Sequence, residues 1–199
     1  MLLPLVDSLG DPIKCIWKTW AWETALDQIR SDIDSDNQQM PLDSHQQPRI
    51  VDVMLRPGVA VFEPIWTLVT SNKALLPVIW QMFPDHQYLL NSQFQLTESL
   101  KKTGYAAKPI VGRQGENIAI VGKCESILST SEGRFSDRDT VFQELRSLPQ
   151  LEGKNVQIST FTVQGSYAGA CARGDSSLII KGESDVYPLR VVSNVELLI

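Results

Sequence analysis

The segment whose residue types point most clearly to a binding or catalytic role begins at Lys108 and reads KPIVGRQGEN. Lys108 lies on a predicted strand, which is followed at once by a loop that contains Gly112, Arg113 and Gly115. Glycine adopts positive φ angles and lets backbone N–H groups approach an anion, while a lysine supplies the point charge that phosphate needs. These features favour a phosphate-binding loop, with Lys73 as a second cation at the entry of a predicted helix. The alternative is an ordinary hairpin turn with a surface lysine, because two glycines at this spacing match no established phosphate-binding motif.

Few other residues are candidates for a catalytic or binding role. Arg173 lies in a glycine-flanked segment before a predicted strand, where it would face a transferring phosphoryl group or simply belong to a tight turn. The chain has two histidines, His45 and His86, and both lie in polar or turn contexts. There is no HExxH motif and no acidic cluster with the spacing of metal ligands, so no metal site and no Ser-His-Asp triad is predicted.

One helix is expected near the start of the chain. Apolar residues recur at three- and four-residue steps over residues 20–33, which predicts an amphipathic helix with Thr19 as its cap. Residues 31–49 are polar and contain two prolines, so they are interpreted as a long surface loop.

Two more segments are candidates for helices. One helix is predicted over residues 73–83, and residues 97–102 are predicted to form a short helix or a turn. Pro77 is tolerated in a helix only in the first turn, so the longer helix either begins near Leu76 or is kinked. Both alternatives place the lysine at its entry.

The remaining pattern is mostly extended. A polar connection is expected at residues 126–138, and the picture is a mixed α+β domain with helices first and a mostly antiparallel sheet later. The predicted strands cover residues 50–55, 59–62, 105–110, 117–121, 141–145, 156–163 and 177–180.

Composition limits the class of protein. The 199 residues are 43% hydrophobic and 21% charged, which excludes a disordered chain, a collagen-like chain and a disulfide scaffold. The net charge of −5 argues against nucleic-acid binding and suits a cationic small ligand. No apolar run reaches the roughly 18–20 residues of a membrane span, and the start lacks the basic region of a signal peptide. Three scattered cysteines suit a reducing compartment, so the expected location is the cytoplasm.

Several motifs, in the right order over nearly the whole chain, resemble segments of glutathionylspermidine synthetases. Long motifs in register are far more specific than any one of them alone. The matching segments are WKTWAWETALDQI at residues 17–29, FEPIW at 62–66, SNKALLP at 71–77, GYAAKPIVGRQGEN at 104–117, FTV at 161–163, CARGD at 171–175 and SD at 184–185.

The resemblance implies a partial ATP-grasp-like α+β fold, in which nucleotide lies between two subdomains under a glycine-rich flap. Residues 1–199 would be the C-terminal portion of that synthetase domain. The family is an ATP-dependent carboxylate–amine ligase. ATP phosphorylates the glycine carboxylate of glutathione, and the amine of spermidine attacks the acyl phosphate to form an amide. These tasks amount to neutralising charge and positioning groups around a transferring phosphoryl group.

The resemblance also implies roles for individual residues. Arg173 matches an arginine near the reacting centre, Asp185 a carboxylate suited to a spermidine ammonium, and Thr24 a glutathione contact. The segment from Gly112 to Asn117 matches the flap. The ATP-contacting residues implied in the same way are Lys73, Lys108, Gly112, Arg113, Gly115, Asn117, Gln143, Glu144, Leu145, Arg146, Gln157, Leu178, Ile179 and Ile180.

The resemblance is to part of a longer enzyme. The family's magnesium ligands, its catalytic arginine and most of its glutathione site are expected upstream of this sequence. The separate amidase domain is also expected to be absent. We therefore expect the chain to be incomplete on its own, with a separate upstream polypeptide or a truncated gene product as the two explanations. A non-catalytic nucleotide- or polyamine-binding module and an inactive remnant are the alternatives. The amine acceptor and homodimer formation stay open.

Overall fold

The computed structural model describes residues 5–36, 50–190 and 192. The chain separates into two compact units, Met1–Ser71 and Asn72–Ile199. None of the helices in the described ranges has both the length and the apolar character that crossing a bilayer requires.

The first unit is built on a short parallel pair of strands and three helices. Its core joins Trp22 and Ala25 of the first helix to Val51 and Met54 of the second, and all four side chains are buried. The elements are β1 (Cys15–Trp17), α1 (Trp22–Asp36), α2 (Ile50–Met54), β2 (Ala60–Phe62) and α3 (Thr67–Ser71), with β1 parallel to β2.

Three predictions for this unit are corrected. The helix over residues 20–33 exists, but α1 begins at Trp22, so Thr19 lies too far upstream to cap it. Residues 31–36 continue α1 rather than starting a loop, and residues 37–49 of the predicted loop lie outside the described residues. The strand predicted over 50–55 is the helix α2, because a spacing of three puts two of its apolar residues on one face against α1.

The second unit contains two antiparallel sheets. A five-stranded sheet has the order β3-β7-β4-β5-β6, and a four-stranded sheet has the order β11-β10-β9-β8. The elements are α4 (Leu75–Met82), β3 (Ser92–Gln93), α5 (Glu98–Thr103), β4 (Tyr105–Pro109), β5 (Ala119–Val121), a 3-10 turn (Lys123–Glu125), β6 (Ile127–Thr130), β7 (Thr140–Glu144), β8 (Gln150–Leu151), β9 (Lys154–Val163), β10 (Ser166–Asp175) and β11 (Asp185–Tyr187).

Both candidate helix segments of this unit form helices. α4 begins at Leu75, so Pro77 falls in its first turn, where the missing N–H costs nothing. α5 is capped by Thr97, whose hydroxyl oxygen accepts a hydrogen bond from the N–H of Leu100. Leu100 is 1% exposed and packs against Tyr105 of the adjoining strand, which fixes α5 on the five-stranded sheet.

The mixed α and β composition with antiparallel sheets is confirmed, but not every predicted strand. Residues 177–180 form bends after β10 instead of a strand. β6 lies inside the segment predicted as a polar connection, and the strand predictions do not include β10 or β11. The strand predictions at 59–62, 105–110, 117–121, 141–145 and 156–163 correspond to β2, β4, β5, β7 and β9.

Candidate functional site

Lys108 lies on β4, in the middle of the five-stranded sheet. Its backbone is opposite Val141 of β7, so the next side chain on that face of β7 is Gln143. The Lys108 ammonium donates a hydrogen bond to Gln143 Oε1 at 2.7 Å. Burial lowers the pKa of Lys108, and the positive charge of Lys73 lowers it further.

Lys73 meets the same region from the segment that leads into α4. Its backbone N–H donates to the carbonyl oxygen of Ile110 at 2.8 Å, which places it beside the end of β4. Its ammonium donates to the carbonyl oxygen of Gly112 at 2.7 Å. A side chain on Gly112 would meet Pro109 at 2.9 Å, so glycine suits this crowded position. The two lysines predicted from the sequence are therefore neighbours beside the glycine-containing loop.

The loop that joins β4 to β5 approaches the chain after β10 very closely. Gly115 has a φ angle of +74°, in the region that favours glycine. A Cβ at this position would stand 2.6 Å from the carbonyl oxygen of Ile180 and 2.9 Å from Ile179 Cγ2. Ile179 is buried against Ala106 and Ile120 of the five-stranded sheet. Glycine at position 115 thus allows the loop to lie directly on residues 179–180.

The same loop is fastened on another side to the turn after β6. Asn117 Oδ1 accepts a hydrogen bond from the N–H of Phe135 at 2.8 Å. Glu116 Oε2 accepts one from the N–H of Arg134 at 3.1 Å. The hydroxyl of Ser131 donates to the carbonyl oxygen of Gly115 and accepts from the N–H of Ile118. These bonds hold the second part of the loop in one conformation.

Arg173 lies on β10 and is directed at the same chain segment. Its guanidinium donates to the carbonyl oxygens of Lys181 and Gly182. Asp175 shapes this segment by accepting hydrogen bonds from the hydroxyl of Ser184 and the N–H of Ser177, and these bonds lower the pKa of Asp175. Residues 114–116 of the loop and residues 181–183 line a cavity of ≈ 330 Å³.

The predicted adenine-side segment, Gln143–Arg146, begins in the last two residues of β7 and continues beyond the strand. The N–H of Glu144 donates to Asn91 at 2.7 Å, and the N–H of Leu145 donates to Gly104 at 3.0 Å. Leu145 also packs against the cluster that contains Ile179. Arg146 is exposed, as are Arg113 in the loop and Leu178 before the buried isoleucine.

The other predicted residues lie outside this cluster. Gln157 of β9 is exposed and is the direct cross-strand partner of Arg173. Asp185 of β11 forms an ion pair with Lys154, which lowers the pKa of Asp185. Thr24 belongs to the first unit, where it is exposed on α1.

No three His, Cys, Asp or Glu side chains in the described ranges gather as a bound metal ion would require.

Comparison with known proteins decides the family. A family model described as "Glutathionylspermidine synthase preATP-grasp" matches residues 3–192.

The chain belongs to the glutathionylspermidine synthase family.

Curated members of this family are longer proteins. The chain is 49% identical over 191 residues to the bifunctional glutathionylspermidine synthetase/amidase of Escherichia coli (strain K12), covering 94% of the chain and 31% of that protein. It is 36% identical over 195 residues to a trypanothione synthetase of Crithidia fasciculata, covering 96% of the chain and 29% of that protein. A glutathionylspermidine synthase of the same organism is 29% identical over 228 residues, covering 94% and 31%. The chain therefore spans about a third of these glutathionylspermidine and trypanothione synthetases.

One residue of the candidate site, Ser92, was not predicted from the sequence. Ser92 of β3 is 1% exposed, and its side-chain oxygen accepts a hydrogen bond from Gln143 Nε2 at 3.0 Å. Nothing in the sequence around Ser92 distinguishes it from other serines. The signal is the register of β3 against β7, which pairs Ser92 with Gln143 directly and which only the folded sheet supplies.

Proposed function

We propose that this chain is the ATP-binding part of an ATP-dependent carboxylate–amine ligase that joins the glycine carboxylate of glutathione to spermidine. One observation carries the proposal: two lysine ammonium groups, those of Lys73 and Lys108, lie together beside a glycine-containing loop, although their charges repel. Gathering like charges costs free energy unless an anion occupies the space between or beside them. A polyphosphate is the anion that such a pair suits, because each ammonium can donate to a different oxygen.

The reaction has two steps in this proposal. An oxygen of the glycine carboxylate attacks the γ-phosphorus of ATP, the bond from that phosphorus to the bridging oxygen breaks, and ADP leaves. The spermidine amine then attacks the acyl carbon, the bond to the phosphate oxygen breaks, and the amide forms as the nitrogen loses a proton. Lys73 and Lys108 hold the nucleotide phosphates and offset charge that develops on them. The segment Gly112–Asn117 lies over the phosphates as a flap.

Arg173 takes the position nearest to the reacting groups in this proposal. Its guanidinium is fixed on the carbonyl oxygens of Lys181 and Gly182, so its direction is set before any ligand arrives. A fixed cation costs no reorganisation when charge develops on a transferring phosphoryl group. Gln157 beside it, and the segments Gln143–Arg146 and Leu178–Ile180, are assigned to the nucleotide. Asp185 is assigned to a spermidine ammonium and Thr24 to glutathione.

The next question is which residues could bind magnesium. The described residues do not fit a site of their own for the metal, since no three suitable side chains gather among them. The expectation that its ligands belong to the rest of a longer synthetase stays a prediction. The three cysteines are free thiols, which supports the proposed cytoplasmic location because reducing compartments keep thiols unpaired.

The second candidate function is nucleotide or polyamine binding without turnover. The observation that favours it is that no three His, Cys, Asp or Glu side chains of the described residues gather to hold the metal that phosphoryl transfer uses. The two candidates differ in whether products are released. We would join this chain to the preceding part of that relative and supply ATP, glutathione and spermidine. Release of ADP together with amide product supports the ligase. Tight ATP binding without either product in the joined protein supports the binding module.

A further inference from the structure

Ser92 lies at the end of a hydrogen-bond chain that reaches the Lys108 ammonium. The Ser92 hydroxyl donates to the carbonyl oxygen of Leu90 at 2.9 Å and accepts from Gln143 Nε2 at 3.0 Å. Gln143 Oε1 in turn accepts from Lys108 Nζ at 2.7 Å. The three side chains come from β3, β7 and β4, which are adjacent strands of the five-stranded sheet.

The direction of each bond is fixed by chemistry. A serine hydroxyl has a single proton, and here it is used on Leu90, so the Ser92 oxygen can only accept from Gln143. A lysine ammonium can only donate, so the atom of Gln143 that faces Lys108 must be its oxygen. The hydrogen bond with Ser92 and the hydrogen bond with Lys108 therefore require the same orientation of the Gln143 amide.

Burial makes this orientation matter. Ser92 is 1% exposed and Lys108 is half-buried, and the partial removal of its ammonium from water is the main cause of its lowered pKa. A half-buried ammonium relies on its fixed acceptors to stay charged, because fewer water molecules can replace a lost one. The charged group that bears on Lys108 is Lys73, which precedes α4, while β7 presents the neutral amide of Gln143.

We propose that Ser92 is a positioning residue: it holds the Gln143 amide with its oxygen on Lys108, and so keeps the Lys108 ammonium charged and directed at the bound phosphates. The direction at the phosphates rests on the proposed function, whereas the hold on the ammonium does not. Without the Ser92 oxygen, Gln143 Nε2 loses its side-chain acceptor, and the amide can turn its donors toward Lys108, where they repel the ammonium.

The experiment compares Ser92→Ala, Gln143→Ala, the double variant and the wild type, all in the full chain. The control is Ser99→Ala, which removes an exposed hydroxyl on α5 of the same unit. The first readout is the pKa of Lys108, followed by NMR of its side-chain carbon next to the ammonium across alkaline pH. The second readout is the Kd for ATP, and a thermal melt of each variant checks that it is folded.

We expect Ser92→Ala to lower the pKa of Lys108 further and to weaken ATP binding about tenfold, the effect of one lost charge-assisted bond. The double variant should match Gln143→Ala, because Ser92 acts through Gln143. Ser99→Ala should change neither readout. If Ser92→Ala does not fold, Gln143→Ala alone tests the acceptor, and its Lys108 pKa should fall in the same way.

Two results would overturn the proposal. One is a Lys108 pKa that stays at the wild-type value in Ser92→Ala, or in Gln143→Ala where only that variant folds. The other is a double variant whose losses equal the sum of the two single losses, since independent effects add and effects through one shared group do not. If the wild type binds no ATP, the proposed function fails, and the NMR comparison still decides whether Ser92 holds the Lys108 charge.

Discussion

The Lys108 ammonium lies close enough to the Lys73 ammonium for their positive charges to interact. Removal from water lowers the pKa of Lys108, and the charge of Lys73 lowers it again. Lys108 donates a hydrogen bond to the side-chain oxygen of Gln143, and Lys73 donates one to the carbonyl oxygen of Gly112. Bringing two like charges together costs free energy, and the proposed binding of a phosphate anion would offset that cost.

The first prediction concerns the loss of one of these cations. Lys73→Ala should weaken ATP binding by about 1.5–3 kcal/mol, the range for a hydrogen bond to a charged group. It should also raise the pKa of Lys108, because a repelling charge is gone. Calorimetric titration with ATP measures the affinity. Lys102→Ala, an exposed lysine on α5, is the control and should leave the affinity unchanged. Equal affinities for wild type and Lys73→Ala would contradict the assignment.

The second prediction is a pH dependence. Because the pKa of Lys108 is lowered, its ammonium loses the proton at a less alkaline pH than an ordinary lysine. ATP affinity should therefore hold at neutral pH and fall as pH rises through that lowered pKa. In Lys108→Arg the guanidinium stays charged over this range, so the fall should disappear even if the starting affinity is lower. Parallel pH profiles for the two proteins would show that Lys108 is not the titrating group.

The sign for stability is opposite to the usual one for a paired lysine. In the window between the lowered folded pKa of Lys108 and its ordinary value, the unfolded chain binds more protons than the folded chain. The contribution of Lys108 therefore makes the free energy of unfolding rise with pH in that window. Urea unfolding at several alkaline pH values measures it, with Lys108→Met as the variant that lacks the contribution. A slope that is the same in both proteins would contradict this reading.

The third prediction separates close packing from backbone conformation. Gly115 and Gly153 have nearly the same φ angles, +74° and +77°. A Cβ at 115 would stand 2.6 Å from Ile180 O, whereas nothing lies within 4 Å of one at 153. Gly153→Ala should cost about 1 kcal/mol through its positive φ alone. Gly115→Ala should cost roughly 1–3 kcal/mol more and should weaken ATP binding, because the overlap forces the loop away. Equal losses of stability would mean that the loop does not lie on residues 179–180.

The fourth prediction tests the carboxylate assigned to spermidine. Asp185 already pairs with Lys154, so a polyamine ammonium must compete with that lysine. Lys154→Ala should strengthen spermidine binding, and Asp185→Asn should weaken it, and both effects should be small because water screens this exposed pair. Titration of both variants with spermidine measures the two opposite effects. If both variants bind spermidine as the wild type does, Asp185 is a structural partner of Lys154 only.

Local pattern predicted the fold where packing agreed with it. The amphipathic spacing around Trp22 and the pattern over residues 73–83 both led to helices that the structure contains. The strand prediction at residues 50–55 was wrong. β-branched residues favour a strand, and only the packing of Val51 and Met54 on α1 makes the segment helical. β10 escaped notice because small residues and glycines dominate its sequence, and its strand conformation comes from its long pairing with β9.

The charged residues of the candidate site could be predicted from the sequence, but the contacts between its side chains could not. Lys73, Lys108 and Gly115 could be predicted because a lysine suits a phosphate and a glycine suits a tight loop, and all three lie in the quoted motifs. The hold of Ser92 on Gln143 depends on sheet register, and the pairing of Asp185 with Lys154 depends on two strands that are not sheet neighbours. Neither relationship leaves a pattern in one sequence, because each joins residues 31 or more positions apart.

The central claim is that this chain binds ATP through its pair of lysines. The most direct measurement is calorimetric titration of the full chain with Mg-ATP, next to Lys108→Ala and the exposed-lysine control Lys102→Ala. The account predicts saturable binding by the wild type and the control, and binding weakened by about 1.5–3 kcal/mol in Lys108→Ala. A folded wild type that binds no nucleotide, or a Lys108→Ala variant that binds it equally well, would contradict the account.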